Sequence, residues 1–191
     1  MKRILFILLL TTSYAGQSQI NQVFDDWFIS AGFNAVNSRG TLNPFYRPGE
    51  WAFKTPFAVS GEKQWNRDWT VELAINVNGI NEGQDFDPGP APEDFTYFSL
   101  DAMAKWYFGR QIFRRGYDKI DFYLNGGLGF FTIDQSNVSV NFGGGVLFWL
   151  NEDNTFGLRL QCIGKFAFNN ADSGFDNNHY QWGLHAIWRL K

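Results

Sequence analysis

Along 69–78, WTVELAINVN, apolar and polar positions alternate: Trp69, Val71, Leu73, Ile75 and Val77 fall on one side, Thr70, Glu72, Ala74, Asn76 and Asn78 on the other. A two-residue period is that of a β-strand. It recurs over about 26–37, 53–60, 96–108, 120–132, 139–150, 155–168 and 178–190, and so predicts eight strands with no helix between them. Most of these runs are near the roughly 9 to 11 residues with which a tilted strand crosses a bilayer. The second run is irregular, because Pro56 cannot donate to a ladder; a bulge or a later strand start is expected there.

If the first strand runs outward, the outer connections are 38–52, 80–95, 134–138 and 169–177, and the inner ones 61–68, 109–119 and 151–154. Pro44, Pro48, Pro88, Pro90 and Pro92 all lie in the first two outer loops, as suits irregular surface chain. Long loops at one end and mostly short turns at the other match a transmembrane barrel, apart from the long inner turn at 109–119.

Alternation alone does not say which face is inside, and a soluble β-sandwich shows the same period. Side-chain size separates the cases. The apolar faces carry rings such as Trp69, Phe98, Trp106, Phe130, Phe142, Phe166 and Trp188, too large to share the narrow interior of an eight-stranded barrel. The opposite faces carry Ser99, Gly127, Gly129, Asn141, Gly143, Gly145, Gly157, Gln161, Ala167 and Gly183, small or polar enough for a lumen. Leu147, Trp149, Ile163 and Ile187 are apolar exceptions on the inward parity. Trp27, Trp69, Trp106, Phe108, Trp182 and Trp188 cluster at strand ends, where interfacial aromatic girdles lie.

Composition sharpens this picture. An aromatic content of 19% calls either for a core that hides the rings or for a surface not facing water. A net charge of -3 argues against a nucleic-acid partner, which would require a basic face. Residues 1–19 have the form of a cleaved signal peptide, with Lys2 and Arg3, an apolar run over 4–10 and Ser13-Tyr14-Ala15, leaving 20–191 as the barrel. No later run has the roughly 18 to 20 apolar residues of a membrane-crossing helix. Cys162, the single cysteine, has no partner in the chain.

These features, with the runs NGGLGFF and NFGGGVLFW and the last strand HYQWGLHAIWRL, resemble the small outer-membrane β-barrels of the OmpA/OmpX type, in the porin-like superfamily. The resemblance implies an all-β fold, an eight-stranded antiparallel transmembrane barrel in the outer membrane with both mature termini periplasmic. The peptidoglycan-binding domain of longer family members is expected to be absent. Leu190 and Lys191 stand where many members end on an aromatic residue.

The inward faces also hold Glu72, Asp101, Lys105, Asp121, Arg159, Lys165 and Arg189. Unpaired charges in a narrow lumen are costly, so Glu72, Asp101, Lys105, Arg159 and Lys165 are expected to form a polar network that plugs the interior. Glu72 should lie near Asp101 and Lys105, with Arg159 and Lys165 reaching across. A hairpin centred near Ser136 would set Gly127 opposite Gly145 and Gly129 opposite Gly143. Gly126 and Gly144 point outward and predict a shallow outer-surface groove between Phe122, Phe130, Phe142 and Phe148, suited to an acyl chain or a partner's side chain.

Other candidate chemistry is thin. His179 and His185 share the inward face but lack a third metal ligand, and a lipid-hydrolase role would need a serine and an acid beside them on the lipid side. Glu82, Asp85, Asp87, Glu93 and Asp94 in the second outer loop lack the spacing of a calcium loop and read as a solvated acidic loop. Arg110, Arg114, Arg115 and Lys119 suit lipid phosphates at the inner leaflet. GGLGFF is no nucleotide loop, lacking the third glycine and a following helix.

No catalytic, cofactor-binding or metal residue is expected, and no enzymatic activity. Expected partners are outer-membrane lipids and other envelope proteins. The reading is a structural or surface-interaction barrel. Alternatives are an accessory subunit of an outer-membrane secretion or assembly complex, then a lipid-modifying enzyme or a small-solute pore.

Overall fold

The computed structural model describes residues 26–37, 41, 43–87, 89–113, 119–168 and 174–190. The signal segment expected at 1–19 lies outside them, as do Arg114 and Arg115.

The strands are β1 (Trp27–Asn37), β2 (Phe57–Gln64), β3 (Trp69–Ile80), β4 (Phe95–Tyr107), β5 (Ile120–Thr132), β6 (Asn137–Trp149), β7 (Phe156–Ala167) and β8 (His179–Leu190). Each pairs antiparallel with its sequence neighbours, and β1 closes onto β8 from Trp27↔Leu190 to Asn37↔Tyr180. Closure leaves no free edge strand, although β1 is paired with β2 only from Trp27 to Gly32 and beyond that meets the first loop through the Val36↔Ala52 bridge.

Two departures from the sequence pattern matter for the interior. β2 begins at Phe57, directly after Pro56, and runs on to Gln64, four residues past the expected end. The apparent stop at Gly61 is an outward strand position opposite Ile29 and Leu73, so Glu62 turns inward. The β5–β6 register also differs: Gly127 faces Asn141, Gly129 faces Ser139, Asn125 faces Gly143 and Tyr123 faces Gly145. β6 starts at Asn137, which moves the hairpin centre to Asp134. The tip is tightened from outside: buried Asp176 accepts the backbone N–H groups of Ile133 (2.7 Å), Asp134 (3.2 Å) and Gln135 (2.7 Å). The long inner turn contains one helical turn, α1 (Gly109–Ile112), whose Gly109 N–H donates to Asp121.

Neighbouring side chains settle which face is which. Glu72 is 1% exposed and Leu73, the next residue, 60%. The pattern is the inverse of a water-soluble domain, since the outer wall displays Ile29, Phe33, Leu73, Leu128, Phe142 and Leu184 while charged residues are buried.

The interior is layered. At the loop end Val36, Ala52, Ile80, Phe86, Ala91, Tyr97, Phe131 and Ile133 form an apolar cluster, with Phe95 and Phe175 packed on it. At the turn end Phe28, Leu147, Trp149 and Ile187 form another, flanked by Tyr107. Three of the inward apolar exceptions in the sequence therefore belong to this lower cluster; Ile163 is buried separately, opposite Gly143.

Candidate functional site

Between the two apolar clusters most of the inward side chains are polar, with Met103 and Ile163 the large apolar ones among them. In the lower part Lys105 Nζ lies 2.9 Å from Glu62 Oε2 and 2.8 Å from Glu72 Oε1. Arg159 Nη1 reaches the same two atoms at 2.7 and 3.0 Å. Two cations thus alternate with two carboxylates, and the four-membered cluster is neutral. Glu62 also accepts from Thr70 (2.6 Å) and Tyr107 (2.8 Å), and Glu72 from Ser60 (2.7 Å). Such additional hydrogen bonds to otherwise bare lone pairs are what make buried charges tolerable.

Higher in the lumen Asp101 accepts from Lys165 Nζ at both oxygens (2.9 and 2.8 Å), and from Asn76, Ser99 and Asn141. The five network residues expected from sequence therefore divide. Glu72, Lys105 and Arg159 come together, while Asp101 and Lys165 form a separate pair. Glu62 is the residue the sequence reading missed. Its signal was the inward parity of FAVSGEKQ, had the strand been carried past Gly61.

The inward glycines make room for this chemistry. A Cβ on Gly129 would stand 2.3 Å from Asp101 Oδ1 and 2.5 Å from Asn141 Nδ2, and one on Gly145 2.5 Å from the Tyr123 hydroxyl. Gly129→Ala is expected to cost about 1–3 kcal/mol by overpacking, measured as a lower urea midpoint in lipid vesicles; an unchanged midpoint would refute this role.

The histidines do not meet. His179 Nδ1 donates to the Asn177 carbonyl (2.8 Å), an assignment made from the hydrogen-bond pattern, leaving Nε2 to accept from the Tyr97 hydroxyl at 3.0 Å. His185 Nδ1 lies 3.3 Å from Ser30 Oγ. Ser30 and His185 are sealed in the lumen, where a lipid on the outer wall reaches neither. Among the described residues no group of three His, Cys, Asp or Glu side chains is placed to hold a metal ion.

At the loop end, Asp94 accepts from Lys54 and from the Glu82 N–H, and these bonds hold its carboxyl below the usual carboxylate range. The second loop is further fixed by the Asp85↔Pro90 bridge. At the turn end Arg189 lies over the Trp149 and Phe28 rings, 3.6 Å from Asp26. Lys119 donates to the Asn151 and Glu152 carbonyls and to Asn154. On the wall above, Trp69 stacks with Trp106, and Phe156 lies against Trp188. On the outer face Gly126 stands opposite Phe142, whose ring comes within 3.5 Å of the position of an added Cβ, and Gly144 opposite Leu124 and Cys162.

No family model and no curated protein matches the chain. Solved structures do. Neisserial surface protein A matches at 14% identity with a TM-score of 0.56, covering 86% of this chain and 96% of its own. Ail, the attachment invasion locus protein of Yersinia pestis, matches at 17% identity and 0.53, covering 87% and 99%; it is also described as an outer membrane protein, solved in a phospholipid bilayer nanodisc. This chain has the fold of a small outer-membrane β-barrel. The N-terminal β-barrel domain of OprF from Pseudomonas aeruginosa has the same fold, at 16% identity and a TM-score of 0.50 over 86% of this chain and 97% of its own. At such identities the barrel architecture is what the proteins share.

Proposed function

We propose that this chain is an integral outer-membrane protein with both mature termini on the periplasmic side, a lumen closed to ions and solutes, and a structural or surface-interaction role exercised through its loop end. It is not an enzyme in this reading. The observation that carries it is the pairing of Arg159, Lys105 and Lys165 with Glu62, Glu72 and Asp101, all buried between two apolar clusters. A conducting pore needs mobile water along its charges; these have each other instead.

The loop end supports a surface role because described parts of its loops are tied down, by Asp176 at the β5–β6 tip and by Lys54 with Asp94. Ail has been solved with the heparin analogue sucrose octasulfate. A highly anionic partner of that kind suits this chain poorly, since its second outer loop carries Glu82, Asp85, Asp87, Glu93 and Asp94. A neutral or cationic surface suits it better.

Two measurements test the reading. The outer-membrane fraction, run boiled and unboiled on a denaturing gel, should show a heat-dependent shift of the folded barrel; equal mobility would count against it. Purified protein in planar bilayers should show no steady openings, and large stable conductance would overturn the closed lumen.

A further inference from the structure

The first outer loop does more than bridge β1 and β2. Trp182, an outward residue of β8, is packed by two of its aromatic side chains, Phe45 at 5.0 Å and Trp51 at 5.9 Å with the planes 10° apart. The loop is pinned there by polar tips: the Trp182 indole N–H donates to the Pro44 carbonyl (2.9 Å) and the Tyr180 hydroxyl to that of Thr41 (2.8 Å). Residues 43–53 of the loop thus fold down over the outside of the wall, beside the seam where β1 meets β8.

Beneath it lies a crevice of about 290 Å³. Its floor is Phe33 and Ala35 of β1 with Leu184 of β8 and Leu160 of β7, and its roof is Phe45, Trp51 and Phe53. Asn34 borders it but turns its amide into the barrel, donating to the Phe57 and Val77 carbonyls.

We propose that this crevice binds one acyl chain of an outer-leaflet lipid, an inference that rests on the outer-membrane reading above. Three observations select that occupant. The crevice is continuous with the apolar outer wall through Phe33, Leu160 and Leu184, all exposed, so hydrocarbon is already its neighbour. The indole donors that line it, Trp51 and Trp182, are spent on the Tyr46 and Pro44 carbonyls of the loop, which leaves neither to recognise a sugar or a peptide backbone. Its volume is at the small end of ligand sites, room for a length of one flexible chain, and its apolar lining offers a headgroup nothing to bind. Such a site would hold one lipid fixed beside the closing seam while the rest of the annulus exchanges.

The test uses the full-length barrel in dimyristoylphosphatidylcholine nanodiscs, with lipid retention read by native mass spectrometry. Wild type should keep one lipid per barrel under activation that strips the others. Ala35→Trp, which fills the floor, should lower that lipid-bound fraction by roughly tenfold, and Trp51→Ala, which opens the roof, should lower it too. Ala102→Trp, at an outward position of β4, should leave it unchanged. Each variant is first checked for the heat-dependent gel shift, so that loss of the barrel is told apart from loss of the site. If no lipid is selectively kept, or if Ala102→Trp lowers retention as far as Ala35→Trp, the site is refuted. A dimer mass lost only in Ala35→Trp would give the crevice to a second copy, and would also overturn the proposal.

Discussion

Replacing Arg159 by Met is expected to cost the barrel about 3–5 kcal/mol, the typical penalty for removing one partner from a buried ion pair. Glu62 and Glu72 are direct cross-strand partners on β2 and β3, an arrangement in which like charges repel. Both are fully buried, and each is bridged to the other only through Lys105 and Arg159. Without the guanidinium one negative charge is left with no cation and no route to water. Methionine keeps much of the length of the side chain, so the loss reports charge rather than a cavity. Urea unfolding in lipid vesicles and the temperature of the gel shift should both fall. Adding Glu62→Gln to the same chain should recover most of the loss, because Glu72 and Lys105 then remain as a neutral pair. Equal stability of Arg159→Met and wild type would mean that the cluster is not ionised as drawn.

Asp101→Leu should have a similar effect, again about 3–5 kcal/mol, by stranding Lys165. A lysine near a strand end can extend its stem to the interface, but Lys165 is fully buried beneath the loop-end cluster. Asn76, Ser99 and Asn141, which now converge on the carboxylate, would lose their shared partner as well. The double variant Asp101→Leu with Lys165→Met removes both charges together and should lie well above the single one in urea midpoint. If the double is no better than the single, packing around Asp101 matters more than its charge.

The strands and their faces were legible because a two-residue period survives any sheet geometry, and ring size then decided which face was narrow. Leu73 beside Glu72 illustrates how sharply the pattern maps onto exposure. The end of β2 was not legible, since Gly61 followed by Glu, Lys and Gln has the composition of a turn; only pairing with both β1 and β3 makes it strand. The β5–β6 register was hidden for a different reason. It depends on Asp176, more than 40 positions along the chain from Ile133, clasping the hairpin tip. Partner choice inside the lumen was equally remote: parity puts Asp101 and Lys105 inside, but which cation each carboxylate meets follows from the stagger of a closed sheet, which no local pattern encodes.

The distribution of lumen charge over the strands bears on which alignments of the closed sheet are neutral. β1 to β4 bring three inward carboxylates, Glu62, Glu72 and Asp101, but only one amine, Lys105. Both missing cations, Arg159 and Lys165, are carried by β7, one for each cluster. A sheet lacking β7 would therefore keep an excess of negative charge, and that excess would resist transfer into hydrocarbon. A one-residue slip of β7 would turn both cations toward lipid and leave the deficit in place. Neutrality arrives with the correct register of the penultimate strand, so the same residues that fill the finished interior also penalise a sheet closed in any other alignment.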